Sequence, residues 1–179
     1  MESSPPPSRW RPFLWCVGAA GVVVACGVAI ILAVRGDTPL LRAEKLEESF
    51  ELWRRNAPTD YDLRFTVQAD RMDEEEYAAT IRAGKVVRLT RNGDDLPNPN
   101  DRYSIDGIFD DMREELKMAS LSPASPEYQP GQREGASVKA TFDATLGIPR
   151  LFKVIAPAGR SFVRKVREIQ VPGKGRIYP

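Results

Sequence analysis

The chain has 179 residues, with 26 Lys and Arg against 25 Asp and Glu and no histidine. That length allows one well-buried domain plus an anchor, and the missing imidazole excludes His-based triads, HExxH zinc sites and histidine proton shuttles. Both cysteines, Cys16 and Cys26, fall in an apolar N-terminal run, so the rest offers no thiol for a disulfide or a nucleophile, and the even charge balance gives no general footprint for nucleic acid.

Residues 1–12, "MESSPPPSRWRP", are Pro/Ser-rich and read as a disordered cytoplasmic tail. Residues 13–34 open at Phe13, close at Val34 and contain no charge. At ~1.5 Å rise per residue they span ~33 Å, enough for a ~30 Å hydrocarbon core, so they predict one transmembrane helix that holds the chain in a membrane. Gly21, Ala25, Ala29 and Ala33 recur every fourth position, a pattern that lets a second helix approach closely. "VVAC" ending at Cys26 also fits a lipobox, but the apolar run continues past Cys26 to Val34 and favours an uncleaved anchor. Arg9 and Arg11 before the run, against Arg35, Arg42 and Lys45 after it, leave orientation undecided by charge.

Residues 35–39 read as a linker, and residues 40–171 as a single α+β domain followed by a C-terminal tail at 172–179. Leu41, Leu46, Phe50 and Trp53 among charges predict an amphipathic helix over 40–56. "YDLRFTVQA" alternates strictly and predicts a half-buried strand; "EYAATIRAGKVVRLTRNG" predicts two more around a turn at Gly84, closed by Asn92-Gly93. Residues 94–102 read as a polar loop whose spacing lacks the order of a calcium loop. A second helix starts at Ile105 behind Ser104, a good N-cap, with Ile105, Ile108, Phe109, Met112 and Leu116 on its apolar side. Asp106 in the first turn suits the helix dipole, and Gly107 reads as close packing or as the turn into the helix.

After the Pro/Ser-rich loop from Ser120, strands resume at Val138, Ala140 and Phe142, then "RLFKVIA", then a basic segment over 162–171. The order is helix and three strands, twice, which predicts one antiparallel sheet with the helices on one face. "ATIRAGKVVRL" and "ATFDATLGIPRLFKV" share a strand, Gly turn, strand spelling that suggests a duplicated unit.

Four stretches, "NAPTDYDLRFTV", "YAATIRAGKVVRLTRNG", "YSIDGIFDDMREEL" and "TFDATLGIPRLFKV", together resemble a bacterial family catalogued as domain of unknown function 6174. The matching positions are Gly84, Lys85 and Val86, the segment that includes Tyr103, Gly107, Phe109 and Asp110, and Phe142, Asp143, Gly147, Ile148 and Pro149. The chain departs from many members in lacking an early cysteine pair and in ending basic rather than acidic. The resemblance implies a membrane-tethered or lipid-anchored domain outside the cytoplasm, here on the bacterial inner membrane. It implies no reaction.

The function classes that remain are a non-catalytic binding module, a hydrolase using paired carboxylates, and an enzyme-inhibitor-like domain. Asp106, Asp110 and Asp143 are the candidate carboxylates; Asp106 and Asp110 are i, i+4 neighbours on one helix. Residues 94–127 carry nine acids against three bases, whereas 150–179 carry eight bases against Glu168 alone. The two regions either pair within the fold or leave Arg164, Lys165 and Arg167 for an anionic surface. No metal site and no cofactor are expected, and the partner is an unidentified protein, peptide or envelope component.

Overall fold

A computed structural model describes residues 38–70, 72–121, 125–126, 136–156 and 161–178, all within one unit, Thr38–Pro179. The expectations for the tail at 1–12, the helix at 13–34, the lipobox cysteine and the start of the linker lie outside the described residues. Among the described residues no helix is long and apolar enough to cross a membrane.

The elements are α1 (Ala43–Asn56), β1 (Tyr61–Ala69), β2 (Glu75–Arg82), β3 (Lys85–Arg91), β4 (Asp94–Asp95), a 3-10 turn (Asp101–Tyr103), α2 (Ile105–Ser120), β5 (Ser137–Phe142), β6 (Pro149–Ile155), β7 (Phe162–Val171) and β8 (Gly175–Tyr178). The class is α+β and the described strand pairs are antiparallel. Three expectations need correction. Residues 94–102 are not all loop, because Asp94–Asp95 pairs with the end of β3 and Asp101–Tyr103 forms the 3-10 turn. Leu40 and Leu41 do not start the first helix: Leu41 donates its N–H to the Val138 carbonyl at 2.8 Å, and Ala140 donates to the Pro39 carbonyl at 3.2 Å. The apolar spacing suited a helix, but the edge of β5 offered partners for an extended backbone. Residues 172–179 are not only a tail, because Gly175–Tyr178 turns back on the end of β7.

The sheet runs β4-β3-β2-β1-β7-β6-β5, with β8 also on β7. β1 pairs along nearly all of β7; β6 takes the opposite edge over residues 162–165, and β8 takes it over 169–171. The first helix-and-strand unit therefore contributes β3-β2-β1 and the second β7-β6-β5, with the first strand of one unit beside the third of the other. The two similarly spelled hairpins, β2–β3 and β5–β6, occupy different places in their units. The spelling marks two hairpins, one with a two-residue turn and one with a six-residue turn, rather than equivalent positions in a repeat.

Period two sends Tyr61, Leu63 and Phe65 of β1, Ala79 and Ile81 of β2, Phe152 and Val154 of β6 and Ile169 of β7 to one side. These side chains share a core with Leu46 and Trp53 of α1 and Ile108, Phe109 and Met112 of α2, so both helices cover the same face. Phe109 ties the layers together, its ring 5.1 Å from Phe50 of α1 and 6.0 Å from Phe142 of β5. On the surface of the helix pair, Arg113 forks onto both oxygens of Glu47 at 2.7 and 2.9 Å and lies 4.1 Å over the Phe50 ring.

The N-terminus of α2 is closed by two hydroxyls. Ser104 Oγ accepts from Gly107 N at 3.0 Å and donates to the Asp101 carbonyl at 2.7 Å, and the Tyr61 hydroxyl accepts from Ile105 N at 3.1 Å. Burial, against the opposing effect of that Ile105 bond, pushes the Tyr61 phenol well above its usual range, so it stays protonated. Ser104→Ala is expected to cost about 1 kcal/mol, read by urea denaturation, because the Gly107 N–H loses its acceptor.

Candidate functional site

The three expected carboxylates do not all meet in one place. Asp106 and Asp110 are exposed on α2 and border a hollow of about 410 Å³ with Gly84, Asp101 and Ser104; Asp143 is not part of it. Asp110 pairs with Arg113 of its own helix at 2.8 Å, an exposed i, i+3 contact. Asp143 builds the β5–β6 turn: its Oδ1 accepts from Thr145 N and Leu146 N at 2.9 Å each, and its Oδ2 takes Arg150 at 2.7 Å.

Burial works against ionisation of Asp143, but the Leu146 N–H, the Arg150 guanidinium and the Thr145 N–H outweigh it and hold the carboxyl below its usual range. Because the folded pKa lies below the unfolded value of ~3.9, the stabilisation is present above ~3.9 and is lost as pH falls through the folded value. Asp143→Asn is expected to cost about 1 to 2 kcal/mol near neutral pH. The gap from the parent chain should close in acid, which urea denaturation across pH would show.

The carboxylates whose pKa values are displaced among the described residues, Glu47, Glu74, Asp95, Asp143 and Glu168, are all displaced downward by hydrogen-bonding partners. A general acid needs the opposite displacement. Among the described residues no group of three or more His, Cys, Asp or Glu is placed to hold a metal ion.

The family-like residues occupy structural positions. Tyr103 stacks on Tyr77 at 5.5 Å, and Tyr77 on Phe65 at 5.3 Å. A Cβ on Gly107 would overlap the Asp101 carbonyl oxygen, so the first turn of α2 lies directly on the 3-10 turn. Gly147 has φ +74°, and a Cβ there would overlap the Ser49 carbonyl oxygen and stand 2.9 Å from Trp53 N, which seats the β5–β6 turn on α1. Phe109 and Pro149 are buried.

The three basic candidates separate as well. Arg164 points to the helix side, where Nη1 donates to Asp111 Oδ2 at 2.9 Å and the guanidinium lies 5.5 Å from the Phe65 ring centroid. Arg102 meets the other oxygen of Asp111 at 3.1 Å, so one carboxylate holds two guanidinium groups. Around them is a polar groove of about 420 Å³ bordered by Asn100, Tyr103, Glu114 and Phe162. Both of its arginines are engaged with Asp111, and its charges largely offset one another. Arg167 is the extra residue of a bulge opposite Arg64 and Phe65 and pairs with Glu74 at 2.6 Å. Lys165 faces the other side of the sheet beside Thr66.

Sequence reasoning missed Asp111 and Arg102, whose partners depend on the tertiary fold. It also missed Lys139 and Lys153, although alternation within "SVKATF" and "PRLFKVI" already places both on the polar face. Comparisons with protein-family models, curated proteins and solved structures find no match to this chain.

Proposed function

We propose that the chain is a single-pass, membrane-anchored bacterial module whose domain lies outside the cytoplasm and binds a partner without catalysing a reaction. The anchor reading comes from the uncharged apolar residues 13–34, and the location from the resemblance to domain of unknown function 6174. The binding reading is carried by one observation: Asp143 and Asp111, each held by more than one partner, serve the fold, while the sheet keeps one face on which no described element packs. A carboxylate hydrolase would need two carboxyls converging on one pocket with one of them raised in pKa; Asp106 and Asp110 share an open hollow, Asp143 lies apart from it, and the displaced carboxylates among the described residues all move downward. The groove beside Arg164 is small and polar beside the extent of the open sheet, so the open face is the surface assigned to a partner.

The test is topological. In a chain with Cys16 and Cys26 replaced by serine, Val87→Cys introduces a thiol at a position that is 54% exposed. The variant should stay in the membrane pellet after alkaline carbonate extraction and react with a membrane-impermeant maleimide in intact cells. Release by carbonate would overturn the anchor; reaction only after permeabilisation would overturn the location.

A further inference from the structure

On the open face the two halves of the sheet differ in how their charges are matched. On the β1–β3 side, Arg82 meets Asp62 at 3.0 Å and Arg88 meets Asp95 at 2.8 Å; at the far end of β7, Arg176 from β8 meets Glu168 at 2.6 Å. The other half has no such partners. Strands β5 and β6 and the first five residues of β7 contain no acid, and their outward residues include Lys139, Lys153 and Lys165. Among the described residues none of these lysines has an ion-pair partner. Lys139 stands directly opposite Lys153, and Lys165 opposite Leu151, two residues before Lys153. Like charges placed directly opposite are unfavourable in a sheet; Glu74, which is paired with Arg167, lies near enough to Lys165 to offset it in part, and no described acid stands against Lys139 and Lys153.

Apolar groups lie among these cations. Leu151 and Val163 point the same way, and Leu40, 64% exposed, is bridged to Lys139 at the edge of β5. Leu40 is also close in sequence to the apolar run: Thr38 follows Val34 by four residues, a reach of at most ~14 Å of extended chain. A second copy meeting this face would set lysine against lysine. An anionic lipid surface supplies the missing charge, accepts the interspersed apolar groups and is within reach of the tether.

We infer that the lysine face of β5, β6 and the start of β7 docks onto anionic phospholipid headgroups of the membrane that holds residues 13–34. This rests on the anchored reading above. It replaces Arg164 and Arg167, which already have carboxylates, with Lys139 and Lys153, and it keeps Lys165.

The experiment places the full chain in nanodiscs of phosphatidylcholine alone or of phosphatidylcholine with an equal part of phosphatidylglycerol, and follows lysine acylation by mass spectrometry. Lys139, Lys153 and Lys165 should react about fivefold more slowly when phosphatidylglycerol is present. Lys45 and Lys174 should react equally in both discs. The protection should vanish at about 1 M salt, where the screening length is ~3 Å. Lys153→Glu should speed acylation of Lys139 and Lys165 in the mixed discs, which a purely apolar seat would not do. Equal rates in the two discs overturn the inference while leaving the anchor intact. Slow acylation in both discs overturns it too, because the chain itself would then cover the face. Failure of the chain to enter discs overturns the anchored reading and this inference with it.

Discussion

Phe109→Ala is expected to destabilise the domain by about 3 to 5 kcal/mol, a large part of the ~5 to 15 kcal/mol that holds a typical domain. Phe109 is fully buried, and its ring contacts Phe50 and Phe142, so truncation opens a void shared by α1, α2 and β5. Neither neighbour can collapse into that void without moving its own element. Asp110→Asn, one residue on, removes a single exposed pair with Arg113 and should change stability by less than about 0.5 kcal/mol. The readout is Trp53 fluorescence in urea on the unit Thr38–Pro179, in which Trp53 is the sole tryptophan. A large effect at Asp110 would show that it holds a partner other than Arg113. A small one at Phe109 would contradict the packing described for the core.

Gly147→Ala is the second large effect, expected at about 2 to 5 kcal/mol. Two costs combine: a left-handed backbone, about 1 to 2 kcal/mol for a residue with a Cβ, and overlap with a fixed carbonyl, about 1 to 3 kcal/mol. Gly84→Ala separates them. Gly84 has nearly the same φ, +75°, but nothing within 4 Å of the added carbon, so it should show the first cost alone. The same urea experiment compares the two. If they cost the same, the β5–β6 turn does not rest on the α1 backbone.

How much of this could be read beforehand depended on whether the signal was local. Strict alternation placed β1, and the Ser104 cap placed the start of α2, because each rests on neighbouring residues. The start of α1 was misread because Leu40 and Leu41 satisfy helical spacing, while the partner that holds them extended is β5, about a hundred residues later in the chain. β8 is four residues long and carries no pattern of its own; its existence depends on the free end of β7. The pairing of β1 with β7 is likewise a property of two distant edges. The candidate site follows the same division. That Ile105, Ile108, Phe109 and Met112 turn inward was legible at helical spacing. That Asp111 holds Arg164, 53 residues away, and that Asp143 is taken up by its own turn was not, because carboxylates in a catalytic site and in a scaffold look alike until their partners are known.

One face of the sheet is spent on the core, and on the other no described element packs, which leaves it to a partner. In a cysteine-free background, Lys153→Cys on the open face and Glu44→Cys on α1 are labelled with maleimide, first in native membranes and then after purification in detergent. The thiol at 153 is expected to react slowly in membranes and quickly once purified, and the thiol at 44 to react alike in both. Equal reactivity at 153 in the two settings, or protection that survives purification, would contradict that role for the open face.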